Sequence, residues 1–258
     1  MTLSDINDAI ERHVRPQTFP LAIRMVKEGE SLPARTRAPG RDLGRKFAIC
    51  QSFTVARRYG WSLAVSRDDL SCPLAQVAFG FQEEMSYYTE GNLCAGMYTE
   101  TPEAGARTEA TIEKWPLHAY RSVLVAPLGR AEFDPHVICV YGNSAQVMRL
   151  VIAALYKRGG RIESSTAGRI DCSDIVIRTM KSGHCQFILP CYGDRIFGQT
   201  ADDEMAFAMP LERAAEVVEG LVATQKHGIR YPIPSFLRYQ GEFPETYQTL
   251  EQMWEGTA

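Results

Sequence analysis

The chain has 258 residues, of which 45% are hydrophobic and 23% charged, and its 28 basic and 31 acidic side chains leave a formal charge of −3. These values are typical of a folded globular protein, and they exclude the basic excess that draws a protein to nucleic acid or to an anionic membrane surface. The amino-terminal residues are charged and lack the apolar stretch of a signal peptide, and no apolar run is long enough to cross a bilayer. We therefore expect a soluble, cytoplasmic protein with no nucleic-acid or membrane partner.

Apolar periodicity, capping residues and glycine or proline stops predict helices and strands along the first half of the chain. In chain order, these are a helix at 3–13, a strand at 21–26, a helix at 47–59 that ends at Gly60, a strand at 62–65, a helix at 73–81, a helix at 102–115 that is capped by Thr101, and strands at 122–127 and 137–141.

The second half alternates helices and strands more regularly. The prediction comprises a helix from Asn143 to Tyr156, a strand at 161–165, a helix at 172–181, a strand at 185–189, a glycine-bearing loop at 191–203, a strand at 204–208, a helix at 210–224 and a short helix at 246–255. This interleaving favours an α/β or α+β fold, in which helices flank a mixed sheet within one globular unit. We expect residues 1–225 to form this domain, with any seam between two packed lobes near 82–118. We expect residues 226–258, rich in proline and aromatic residues, to form an extension that packs on it.

Most short motifs that identify an enzyme are missing. The sequence contains no GxGxxG fingerprint, no HExxH, no GxSxG elbow and no CxxC pair. The segment from Gly193 to Thr200 has the glycine spacing of a phosphate-binding loop but lacks its lysine. The absence of a CxxC pair excludes a zinc ribbon and a ferredoxin-type cluster, because both need closely spaced cysteines.

The seven cysteines are the main chemical signal. In a reducing compartment they are buried thiols, metal ligands or nucleophiles more often than disulfides. Cys139 lies inside an apolar strand and Cys185 begins another, so both are predicted to be core thiols, whereas Cys94 lies in a loop and its role stays open.

The other four cysteines occupy positions at element boundaries. Cys72 and Cys191 adjoin prolines, and Cys50 and Cys172 fall in the first turns of predicted helices. The positive end of a helix dipole favours the thiolate, which is the form that binds a soft metal or attacks an electrophile. The spacing alone leaves three readings open, namely a shared metal site, scattered core thiols and a cysteine nucleophile.

Short matches along nearly the whole chain resemble the bacterial and archaeal family known as domain of unknown function 169. They include Cys50-x5-Ala56-Arg57-x2-Gly60, Ser71-Cys72-Pro73, Gly142-Asn143-x2-Gln146, Gly168-x3-Cys172 and Leu189-Pro190-Cys191-x-Gly193-x-Arg195. Two departures are Ser144, where related sequences often have proline, and the tail beyond about residue 225, which does not match. The resemblance implies a fold more than an activity. It also implies that Cys50, Cys72, Cys172 and Cys191 recur together and form one site, which would suit an iron–sulfur cluster or a tetrahedral zinc.

Four polar residues are candidates for binding a small anion. Asn143 and Gln146 stand at a predicted helix N-terminus, where anions are favoured, although they equally fit a helix cap and its capping-box partner. Arg195 follows Cys191 in the glycine-bearing loop and could pair with a carboxylate or phosphate, or with a neighbouring aspartate. Arg57 fits the same ligand role or that of a solvated helix residue.

The leading hypothesis is a cytoplasmic metalloprotein, with an iron–sulfur cluster held by Cys50, Cys72, Cys172 and Cys191. Its ligand would be a small anionic molecule bound by Arg195, Asn143, Gln146 and Arg57, for redox or group-removal chemistry. One alternative is a metal-free protein that binds a small ligand, and another is an enzyme with a nucleophilic Cys191 or Cys172. Zinc is the alternative metal, and homo-oligomerisation and catalytic residues are left open.

Overall fold

Six strands form the centre of the computed structural model, which describes residues 1–233 and 243–256. The strands are β1 (Leu21–Val26), β2 (Leu63–Ser66), β3 (Ser122–Pro127), β4 (Val137–Asn143), β5 (Gln186–Ile188) and β6 (Glu204–Pro210). They form one open sheet in the order β2-β3-β1-β4-β6-β5, and each neighbouring pair is antiparallel. The predicted combination of a sheet and flanking helices is confirmed, but the sheet is antiparallel, not mixed.

The helices are distributed over the whole described chain. They are α1 (Leu3–His13), α2 (Pro39–Leu43), α3 (Ile49–Tyr59), α4 (Pro73–Ala78), α5 (Ser86–Thr89), α6 (Pro102–Glu109), α7 (Ser144–Leu155), α8 (Asp171–Ser173), α9 (Thr179–Ser182), α10 (Tyr192–Phe197), α11 (Leu211–Lys226) and α12 (Glu245–Glu255). A 3-10 turn spans Leu128–Arg130, and a π-helical segment, Asp174–Arg178, connects α8 to α9.

Alternation along the strands divides the interior into two main cores. Ile23 in β1 and Tyr141 in β4 face a core that also contains residues of α3, α4, α8 and the π-helical segment. We call this side of the sheet the cysteine face, because Cys139 and Cys172 belong to its core. Ile138 and Phe207 point to the opposite face, against α1, α7 and α11. The result is a central sheet with helices on both sides, which strands that are buried at nearly every position require.

One predicted strand and the last part of one predicted helix are absent, because tertiary contacts override the local pattern. The strand predicted at 161–165 is wrong, since the residues that pass beside β5 form no strand. Instead, the hydroxyl of Ser164 accepts a hydrogen bond of 3.0 Å from the backbone N–H of Phe187. The helix predicted at 102–115 ends at Glu109, and the N–H of Trp115 donates to the carbonyl of Ala78 at 2.8 Å.

The predicted loop at 191–203 contains a short helix, α10, which begins directly after Cys191. Glycines in this segment predict a loop. In the structure, the six-residue helix from Tyr192 to Phe197 places Asp194 in the interior. This correction matters for the site, because Cys191 becomes a helix N-cap.

The carboxyl-terminal extension is described only in part, since residues 234–242 and 257–258 lie outside the described chain. Its short helix, α12, lies where a helix at 246–255 was predicted, and each of its residues is exposed. That the extension packs on the body stays a prediction. No helix among the described residues combines the length and the apolar composition needed to cross a membrane.

Candidate functional site

The four cysteines singled out by the sequence all lie at the amino-terminal ends of helices. Cys50 and Cys172 are the second residues of α3 and α8, and Cys72 and Cys191 are the N-caps of α4 and α10. The first backbone N–H groups of a helix lack intrahelical partners and carry the positive end of the dipole. Of the four helices, α3 is long enough for a substantial dipole, whereas α4 and α10 have six residues each and α8 has three before the π-helical segment. The side chains of Cys72 and Cys191 make no cap hydrogen bond.

These helix ends converge on the cysteine face. Helix α10 packs against α3, and α4 packs against α8. After burial and the charge of Asp171, ionisation of Cys50, Cys72 or Cys191 would raise the pKa of Cys172 further. Ionisation of Cys191 or Cys72 would likewise raise the pKa of Cys50. Electrostatic effects of this kind weaken with distance, so the four thiols share one neighbourhood. Among the described residues, no group of three or more His, Cys, Asp or Glu side chains is arranged to hold a metal ion.

Burial is graded across this neighbourhood. Cys172 and Cys50 are 7% and 9% exposed, whereas Cys72 and Cys191 are half-buried and form the side that faces solvent. Burial, followed by the charge of Asp171, raises the pKa of Cys172 well above its usual value. The same two causes raise the pKa of Cys191 to about 12. Without a metal, the thiols of Cys172 and Cys191 are therefore protonated at neutral pH.

A pair of buried carboxyls accompanies the cysteines. Asp171 immediately precedes Cys172, and Asp194 is the third residue of α10. Burial, and then the charge of Asp194, raises the pKa of Asp171 well above its usual value, and burial also raises the pKa of Asp194. The hydroxyl of Tyr141 donates to Oδ2 of Asp194 at 3.2 Å. The pair thus retains a proton to higher pH than an isolated carboxyl would.

The backbone around Asp171 is unusual on both sides. Ile170, its predecessor, has φ 50° and ψ 46°, a left-handed conformation that is unfavourable for a β-branched residue. The π-helical segment follows two residues after Cys172. Single π turns inside helices occur often at functional sites, and strained residues cluster there.

Arg57 is buried rather than solvated, so the solvated interpretation is wrong. Its guanidinium donates to both carboxylate oxygens of Glu204, at 2.6 and 3.1 Å, and its Cζ lies 4.2 Å from the ring centroid of Tyr141. Burial would lower the pKa of Arg57, but the hydrogen bond to Glu204 raises it overall. Arg57 therefore joins α3 to β6 behind the cysteines, with its terminal nitrogens already in use.

Asn143 and Gln146 form the capping box of α7, as the structural alternative predicted. The side chain of Gln146 also donates to the carbonyls of Val14 and Arg15, at 3.1 and 2.6 Å. Helix α7 packs on the opposite face of the sheet from Cys172. The structure thus does not bring these two residues together with the cysteines.

Arg195 lies one turn after Cys191 on α10, and its guanidinium donates to the carbonyl of Ala201 at 2.6 Å. It is half-buried and stays on the same helix as the half-buried Cys191. Its position is therefore compatible with a contact to a bound molecule.

Cys94, Glu109 and Arg169 form a buried cluster that the sequence did not indicate. The Sγ of Cys94 donates to Oε1 of Glu109 at 3.1 Å, and the guanidinium of Arg169 donates to the same oxygen at 2.7 Å and contacts Cys94. Burial lowers the pKa of Arg169, while the charges of Cys191 and Cys72 act in the other direction. The cluster therefore adjoins the cysteine site. The one sequence signal near Arg169 is the family match Gly168-x3-Cys172, which contains this residue.

Comparison with known proteins finds a matching family and a distant relative. The sequence profile of the family described as "Uncharacterised ArCR", domain of unknown function 169, matches residues 9–220. An uncharacterized protein from Methanocaldococcus jannaschii is 26% identical over 204 residues, which cover 78% of this chain and 85% of the relative. No solved structure matches the chain significantly.

Proposed function

Starting from the fact that this chain belongs to the family of domain of unknown function 169, we propose that it is a metalloprotein whose iron–sulfur cluster is held by Cys50, Cys72, Cys172 and Cys191. The observation that supports the proposal is that the four cysteines cap or begin helices on one side of the sheet and lie near enough to interact electrostatically. As placed, the described side chains form no metal-binding group, so loading would require them to move together. Thiolates are the usual ligands of such clusters, and four are the usual number.

A cluster at this place would meet both favourable and unfavourable electrostatics. Four thiolates and a cluster carry net negative charge, which the unpaired N–H groups of the first helical turns would partly offset. Burial and the carboxyls of Asp171 and Asp194 oppose it. As free thiols, the buried cysteines resist ionisation, because burial raises the pKa of both Cys50 and Cys172. A metal would replace their protons, so loading would release protons to solvent.

A cluster at this site would supply one-electron transfer, or Lewis acidity if one iron lacked a protein ligand. The chain's own residues would do the rest. Cys72 and Cys191 lie on the half-buried side, where a small anionic molecule would approach, and Arg195 lies one turn beyond Cys191. Burial raises the pKa of Asp171 and of Asp194, so this pair, near Cys191, is the candidate to pass a proton to a bound molecule.

The alternative of a cysteine nucleophile is weaker. A nucleophilic cysteine reacts as the thiolate, and its pKa is normally depressed. Burial and Asp171 instead raise the pKa of Cys191 to about 12. We therefore rank the metal site ahead of this alternative.

Metal and sulfide analysis of protein purified without oxygen, together with its absorption spectrum, tests the proposal. We expect iron, sulfide and a broad band near roughly 400 nm, all lost on Cys172→Ala or Cys50→Ala. Cys185→Ala is the matched control, because Cys185 is equally buried but belongs to the core on the opposite face. About one zinc per chain and no colour would move the site to zinc. No metal after anaerobic reconstitution, or equal metal in all three variants, would overturn the proposal.

A further inference from the structure

A cavity of about 600 Å³ opens between α6 and the chain that leads into α8. Three arginines line it: Arg107 from α6, Arg169 from the segment before α8, and Arg178 from the end of the π-helical segment. Asp174 is its one acidic lining residue, so positive charge exceeds negative charge. A concave site with this excess favours an anion.

Arg169 lies at the wall of this cavity with its guanidinium fixed. The residue is 5% exposed, and one terminal nitrogen donates to Glu109, whereas its buried Nε has no hydrogen-bond partner among the described residues. The Nε atoms of Arg57 and Arg149 are unpaired in the same way, so the case for an anion rests on the three lining arginines and not on this atom. The guanidinium is held in place by its contact with Glu109 and by the ring of Tyr98, whose centroid lies 4.7 Å from Cζ.

The other two arginines have acidic neighbours but no close ion pair. Burial raises the pKa of Asp174, and the charge of Arg178 opposes this shift. The charge of Arg107 adds to the hydrogen bonds that lower the pKa of Glu103. Within the described part of the chain, neither Arg107 nor Arg178 makes a side-chain hydrogen bond or a salt bridge. Nearby, the hydroxyl of Thr166 accepts from the N–H of Gly168 at 3.1 Å, which leaves its own proton free to donate. Guanidinium groups match the two oxygens of a carboxylate or phosphate, and an ammonium group does not.

The cavity lies next to the cysteines. Arg169 is separated from Cys172 by only Ile170 and Asp171, and the charges of Cys191 and Cys72 reach its guanidinium. The other predicted anion-binding residues do not line this cavity. Asn143 and Gln146 form the cap of α7, and Arg57 pairs with Glu204. The anion-binding residues of the molecule are therefore to be sought around Arg169.

We propose that this cavity binds the carboxylate or phosphate group of a small molecule through Arg107, Arg169 and Arg178, and so directs the rest of that molecule to the cysteine site. The last clause rests on the proposed function, but anion binding itself does not. The shared chemistry is that of an oxyanion with two or more oxygens exposed to the arginines.

Calorimetric titration of the purified chain with inorganic phosphate, and separately with succinate, tests the proposal. We expect one of the two to bind, and the better ligand to identify phosphate or carboxylate as the natural group. Arg107→Gln and Arg178→Gln should each raise the Kd by roughly tenfold or more, because each removes a charge-assisted hydrogen bond. Both residues lie towards the solvent side of the cavity, so these variants should fold even if Arg169→Gln does not.

Arg12→Gln is the matched control, since Arg12 is an exposed arginine on α1, whose apolar side packs on the opposite face of the sheet. It should leave the Kd within about twofold of the parent value. No binding of either anion, or equal binding by the cavity variants and the control, would overturn the proposal. Iron and sulfide content, measured on the same samples, separates this failure from that of the cluster: anion binding without metal would refute the cluster and support the cavity.

Discussion

The buried ion pair between Arg57 and Glu204 illustrates how single residues organise this molecule. Its two hydrogen bonds connect α3, which carries Cys50, to β6 in the central sheet. From the sequence, Arg57 is a candidate for ligand binding or a solvated helix residue, because its partner lies far along the chain. Long-range pairing of this kind cannot be predicted from local pattern, since each residue alone looks like an ordinary surface charge.

The same pair leads to a prediction about stability. Glu204→Gln leaves the Arg57 charge buried without a counter-charge, and the free energy of unfolding should fall by about 3 kcal/mol. Urea unfolding measures this change. Glu219→Gln is the control, because the salt bridge of Glu219 with Lys157 has side chains that are about half exposed, and such pairs contribute about 0–1 kcal/mol. Equal losses in the two variants would contradict the structural role of Arg57.

Cysteine burial shows where residue-level prediction succeeded. Cys139 and Cys185 lie in the two cores, as predicted from their apolar strands. Cys50 and Cys172 were assigned to first turns, and they are the second residues of their helices. The carboxyls of Asp171 and Asp194 were not assigned to the site, because the sequence could not show that α8 and α10 begin side by side.

At the scale of elements, most helices and strands lie where apolar period and capping residues indicated. The exceptions occur where another element supplies the deciding contact. The hydroxyl of Ser164, and not its backbone, accepts the hydrogen bond from Phe187 in β5. Trp115 lies beyond the end of its predicted helix, and its N–H donates to the carbonyl of Ala78. Helix α10 was missed because glycines flank it, although its buried Asp194 at the third position is typical of a helix start.

The close packing of α11 on α7 can be tested at one glycine. A Cβ at Gly220 would lie 2.1 Å from the carbonyl oxygen of Ala153, so the two helices would have to move apart. Gly220→Ala should therefore lower the free energy of unfolding by about 1–2 kcal/mol, even though alanine is the better helix former. Urea unfolding of the variant and of the parent chain measures this change in free energy.

Val222→Ala supplies the comparison in the same helix, because Val222 is 38% exposed. Its effect should stay within about 0.5 kcal/mol. A Gly220→Ala variant that is more stable than the parent chain would show that α11 and α7 are not in this close contact.

At the scale of the whole molecule, the sheet separates a core that carries the candidate site from one that does not. This division predicts that stability and cofactor content can be changed independently. Leu150→Ala, in the fully buried core of the opposite face, should cost about 2–5 kcal/mol of stability and leave iron per folded chain unchanged. Ile175→Ala removes an equally buried side chain from the π-helical segment beside Cys172, and it should lower both quantities.

Iron analysis of the folded fraction, combined with urea unfolding, distinguishes these variants. Loss of iron in Leu150→Ala at full folding would mean that the two faces of the sheet are coupled. A sheet covered by helices was predictable from the sequence, because strands that are apolar at nearly every position need cover on both faces. The antiparallel pairing of all strands was not, since strand direction depends on connections that the pattern does not encode.

The four cysteines are drawn from helices that span the chain from α3 to α10. A cofactor that needs all four could therefore be completed only after the segment with α10 has been synthesised, because Cys191 follows the other three along the chain. Before that, the raised pKa of Cys50 and Cys172 would keep both thiols protonated, so the folded chain would hold no thiolate charge in its interior. If the proposed cluster exists, its insertion would thus be a late step that involves elements from most of the fold.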